Sequence, residues 1–79
     1  MVKIEVLGPG CANCQRLEAN ARQAVEMTGV EAEVVHVLDY RDIMARGVLS
    51  TPGLVIDDRV VSVGRVPSAG DIAGWLKPL

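Results

Sequence analysis

Read from its amino end, the chain alternates apolar Val2, Ile4 and Val6 with polar Lys3 and Glu5. This is the two-residue period of a strand with one well-buried face and Glu5 on the more polar side. Leu7 extends the strand and Gly8-Pro9-Gly10 ends it, because proline lacks a ladder N–H and glycine permits a sharp turn. From Cys11 to Thr28 the period lengthens. Cys14, Leu17, Ala21, Ala24, Val25 and Thr28 fall on one helical face, with Arg16, Glu18, Arg22 and Glu26 away from it, and Gly29 suits the C′ position. Val30 to Leu38, with Val34, Val35 and Val37, reads as a second strand. Asp39 as N-cap and Asp42 in the first turn open a short helix to about Arg46, closed by Gly47.

Leu54 to Val63 holds two β-rich runs around the polar turn Asp57-Asp58-Arg59, a hairpin that Gly64 ends. Ser68 and Asp71 form a start like a capping box, and Ile72, Trp75 and Leu76 give the i, i+3, i+4 stripe of a closing helix. The order β-α-β-α-β-β-α predicts an α/β fold. A right-handed crossover makes the first two strands parallel, and the hairpin adds two antiparallel ones. The result is a mixed four-stranded sheet with helices on both faces.

Length confines residues 1–79 to a single domain. Apolar residues make up 49% of the chain but only Tyr40 and Trp75 are aromatic, so the core must come from Val, Leu, Ile, Ala and Met. Tyr40, Trp75, Met27 and Met44 are accordingly expected to pack, and His36 to be a packed or edge residue rather than a ligand. Net charge is −2, with scattered basic residues, which gives nucleic-acid binding no electrostatic support. The apolar runs are too short for a membrane span, and the amino terminus has no signal-peptide core; a cytoplasmic monomer is the expectation.

Cysteine usage then changes the picture. The two cysteines, Cys11 and Cys14, form one close pair rather than a spread framework, and a bridge closing so short a loop is a weak staple. At the head of a helix, unpaired N–H groups and the positive dipole end favour thiolate. That assigns Cys11 as attacking thiolate and Cys14, one turn further on the apolar side, as resolving thiol. The spacing also suits copper, as in copper-chaperone modules that place C-x-x-C between strand and helix, and a non-catalytic adaptor of the same fold is a third alternative.

The pair Cys11–Cys14 after the first strand, with Thr51-Pro52 at the head of the hairpin and a closing helix, resembles the thioredoxin/glutaredoxin superfamily. More narrowly it resembles the small redox-active disulfide proteins of bacteria and archaea. The resemblance spans essentially the whole chain. It implies a minimal thioredoxin fold, a cis Thr51–Pro52 bond across from Cys11, and pairing of the Thr51 backbone with an extended substrate. It further implies that Gly10, Ala12, Asn13, Thr51 and Pro52 contact substrate, and that metal is kept from the cysteines. The implied activity is thiol–disulfide exchange without a cofactor. The implied partners are a disulfide-containing protein or small-thiol substrate and an external reductase or small-thiol reductant.

Overall fold

The computed structural model describes residues 1–10 and 12–76. Its elements are β1 (Val2–Leu7), α1 (Ala12–Thr28), β2 (Ala32–Val37), α2 (Tyr40–Ala45), β3 (Gly53–Ile56), β4 (Arg59–Val63) and α3 (Ala69–Leu76). They follow the order that the sequence predicts. The four strands lie in the order β2-β1-β3-β4, with β1 parallel to β2 and antiparallel to β3, and β3 antiparallel to β4. This is the architecture of a minimal thioredoxin fold.

Both sheet faces are covered. Ile4 and Val6 of β1 and Leu54 and Ile56 of β3 pack with Leu17, Ala21 and Ala24 of α1 and Ile72, Ala73 and Leu76 of α3. On the other face Leu7 and Val55 pack with Ile43 of α2 and Val48. The core is thus split by the sheet, and central β1 is buried on both sides from Ile4 to Leu7. Polar Glu5 falls within that run.

Local chemistry sets the element ends. Asp39 Oδ1 accepts from the Arg41 N–H at 2.8 Å, an N-cap that starts α2, and Ser68 Oγ accepts from the Asp71 N–H at 3.1 Å before α3. The β3–β4 turn is tighter than the sequence suggests: Asp57 and Asp58 alone form it, both at positive φ, and Arg59 belongs to β4. Asp57 closes the turn against β1, its N–H donating to the Lys3 carbonyl at 2.9 Å and its Oδ1 accepting from the Lys3 N–H at 2.9 Å. A register shift between Leu54 and Val55 leaves Val61 as an extra residue on edge strand β4, a bulge that blunts that edge.

Several residues expected to pack do not. Trp75 is 44% exposed, and Tyr40, Met27 and Met44 are exposed too. The two cores are filled by aliphatic side chains small enough to interlock across a thin sheet, which leaves the larger side chains at their margins. Among the described residues no helix is long and apolar enough to cross a membrane.

Candidate functional site

The carboxyl end of β1, the amino end of α1 and the loop entering β3 converge at one end of the sheet. Gly8 lies at the crossing. Its N–H donates to the Val37 carbonyl at 3.0 Å, continuing the β1–β2 ladder, and it is buried. A Cβ built on Gly8 would stand 2.2 Å from Cys14 Sγ and 3.8 Å from Thr51 Cβ. Cys14 and Thr51 therefore flank the same bare Cα. Glycine here provides the space for a sulfur as well as ending a strand.

Cys14 has no exposed surface, as its place on the inward face of α1 requires. Cys11, assigned above as the attacking thiolate, lies outside the described residues. Ala12 and Asn13 form the exposed first turn of α1, and no acidic side chain in that turn opposes the positive end of its dipole. Gly10 takes φ +92°, a conformation that L side chains rarely adopt, and its carbonyl accepts from Gln15 Nε2 at 3.4 Å. Across the site the Thr51–Pro52 bond is cis. Pro52 is buried, Thr51 is half-buried, and the Pro52 carbonyl accepts from the Gly64 N–H at 2.8 Å, tying the loop to the end of β4. The structure thus brings Gly10, Ala12, Asn13 and Cys14 to the same end of the sheet as Thr51 and Pro52.

Two features escape the sequence reading. Glu5 points to the α2 face, opposite to α1, and is 2% exposed. Arg46 holds it in a fork, Nε to Oε2 and Nη2 to Oε1 at 2.8 Å, while Lys3 Nζ lies 3.3 Å from Oε1. The Arg46 bond is the main reason that the Glu5 carboxyl sits below its ordinary pKa, against the opposing effect of burial; the Lys3 contact adds to it. At neutral pH Glu5 is therefore a fixed, paired carboxylate. The second feature joins α1 to β2: Glu18, expected on the outer face, is half-buried, with one oxygen 3.1 Å from His36 Nδ1 and the other accepting from Arg22 Nε at 3.3 Å. His36 is thus a packed residue with an acidic partner. Only the β1–β2 register, which sets His36 beside Val6 on the α1 side, reveals that contact.

The rim of the site is apolar. Leu38, whose Cδ2 would meet a Cβ on Gly10 at 3.9 Å, is exposed, as is Leu49 at 86%, two residues before Thr51.

The family model described as "Thioredoxin domain" matches residues 2–77. A protein named thioredoxin from Methanothermobacter thermautotrophicus is 43% identical over 72 residues, covering 91% of this chain and 94% of its own. A second, also named thioredoxin, from Methanocaldococcus jannaschii, is 42% identical over 77 residues, covering 98% of this chain and 88% of its own.

Proposed function

Because the chain belongs to the thioredoxin-domain family, we propose that it is a thiol–disulfide oxidoreductase with Cys11 as attacking thiolate and Cys14 as resolving thiol. The observation that carries this reading is the burial of Cys14 over the bare Cα of Gly8, beside Thr51. A sulfur with no accessible surface cannot meet a substrate disulfide in solution. The first encounter then falls to the other cysteine of the pair, at the head of α1.

The steps balance without a cofactor. Cys11 thiolate attacks one sulfur of the substrate disulfide, whose S–S bond breaks; a mixed disulfide forms and the first substrate thiol leaves with a proton from water. Cys14 then gives up its proton and attacks Cys11 Sγ, breaking the mixed disulfide and releasing the second thiol. The substrate gains two electrons and two protons, and the protein holds a Cys11–Cys14 disulfide. An external reductase or a small thiol returns the dithiol.

Gly10, Ala12 and Asn13 on one side and Thr51 and Pro52 on the other form the substrate surface. Exposed Leu38 and Leu49 flank it for a disulfide-containing protein. The chain acts as a single-domain cytoplasmic monomer. Trapping tests the assignment: mixed with a defined disulfide-containing protein, Cys14→Ser should accumulate an adduct at Cys11, seen by mass spectrometry, and Cys11→Ser should not. Failure of Cys14→Ser to form any adduct contradicts it.

A further inference from the structure

The sheet order leaves β2 and β4 as edge strands. The bulge at Val61 blunts β4, whereas β2 follows β1 from Ala32 to Val37 with no register shift and carries no proline. Its bonds to β1 fix which groups face out. The Glu31 and Val37 carbonyls accept from the Val2 and Gly8 N–H groups, each at 3.0 Å. Backbone groups alternate sides along a strand, so Glu33 and Val35 also face β1, and Ala32, Val34 and His36 turn their N–H and C=O groups outward. Among the described residues no strand pairs with that side. A row of unpaired backbone groups is a template for a further strand.

The surroundings of the edge say which strand it takes. Ala32 and Val34 pack toward α1, and with Val25 they line a groove of about 240 Å³ that Arg22 and Glu26 line as well. On the opposite face Glu33 is exposed, and Glu31 is exposed where the strand begins. Among the described residues Glu26, Glu31 and Glu33 make no ion pair. These charges guard the edge against a second copy, which would bring its own carboxylates against them. A strand of opposite sign is favoured by the same charges.

We propose that the β2 edge takes an added strand from a partner protein, an extended segment that alternates Lys or Arg with Val, Ile or Thr. Its backbone bonds the outward groups of Ala32, Val34 and His36. Its apolar side chains lie over the groove beside α1, and its basic ones, on the other face, lie beside Glu31 and Glu33. One end of the segment lies beside Leu38, whose Cδ2 would meet a Cβ on Gly10 at 3.9 Å, so the partner's adjoining residues reach the Gly10 end of the sheet. The docking does not depend on the redox reading.

The probe is a capped hexapeptide alternating lysine with valine, titrated into the reduced, isotope-labelled protein at low salt. Saturable amide shifts should centre on Ala32, Val34 and His36. The same peptide with glutamate for lysine should not bind, and one with its lysines grouped ahead of its valines should bind about tenfold more weakly, because it cannot sort charge and apolar surface to opposite faces. Val34→Pro, shown folded by circular dichroism, removes the central outward N–H and should abolish binding. Glu31→Gln, Glu33→Gln, at exposed positions, should weaken it at least about threefold, a difference that high salt erases. Shifts centred elsewhere, equal binding of the grouped peptide, or indifference to either variant overturns the proposal. So does a concentration-dependent dimer of the free protein that Val34→Pro dissolves, which gives the edge to a second copy. If the alternating peptide binds but Cys11 and Cys14 form no reversible disulfide, the redox reading fails and the docking edge stands.

Discussion

Replacing Arg46 by Met keeps an apolar stem beside the end of α2 but strips the guanidinium from Glu5. Glu5 is 2% exposed, and Arg46 occupies both of its oxygens. Removing one partner of a buried pair costs about 3–5 kcal/mol. Here the Arg46 side chain is 33% exposed and Lys3 stays 3.3 Å from Oε1, so solvent and a second cation soften the loss. The expected cost is about 2–3 kcal/mol at pH 7. In a domain of this size each kcal/mol moves Tm by about 4–8 °C, which puts the melt roughly 8–24 °C lower.

The pH dependence identifies the cause. In the native protein the Arg46 bond keeps the Glu5 pKa below its unfolded value. The pair therefore stabilises the fold above the unfolded pKa, and that contribution is lost as pH falls through the native one. In Arg46→Met, burial is no longer outweighed, and Glu5 takes a proton at higher pH in the folded state. The penalty should be largest at neutral pH and shrink as pH falls toward about 4. Urea unfolding at pH 7 and pH 4.5 measures it, with Glu5→Gln, Arg46→Met recovering part of the loss. A penalty under about 0.5 kcal/mol at pH 7, or one that grows toward acid pH, refutes the reasoning.

Three further substitutions probe the site and the turn. Gly8→Ala forces a Cβ to 2.2 Å from Cys14 Sγ, so stability should fall by about 1–3 kcal/mol, and Cys14 should alkylate faster in a Cys11→Ser background. Asp58→Gly relieves a φ of +65° in a two-residue turn and should raise stability by roughly 0.5–1 kcal/mol in a urea melt. Glu18→Gln removes the charge that Arg22 and His36 share at partly exposed positions; a loss below about 1 kcal/mol, smaller still in high salt, is expected from thermal melts at two ionic strengths.

What the sequence shows and what it hides divides along physical lines. Period and punctuation expose the elements: the alternation of Val2, Ile4 and Val6, the helical stripe from Cys14 to Ala24, and the caps at Asp39 and Ser68 all correspond to observed structure. Alternation misleads at Glu5, because a central strand covered on both faces buries its polar positions as well, and the fork from distant Arg46, with Lys3 beside it, compensates the buried carboxylate. Trp75 carries the size and apolarity of a core residue, yet it lies at the margin, 44% exposed beside β4, where Ile72, Ala73 and Leu76 are the residues that α3 turns into the core. Of the site, Cys14 and Thr51-Pro52 are legible as motifs. The reason that Gly8 must be glycine is not, since it lies in a contact made only when α1 folds back over the end of β1.

The most direct measurement for the account as a whole is an equilibrium redox titration of the wild-type protein, with Cys11 and Cys14 read by alkylation and mass spectrometry after acid quenching. The account predicts one reversible transition between dithiol and Cys11–Cys14 disulfide, with the two-electron slope of about 30 mV per tenfold change in ratio, absent from Cys11→Ser and Cys14→Ser. Cysteines that stay reduced across the range, or that oxidise only between molecules, would contradict it.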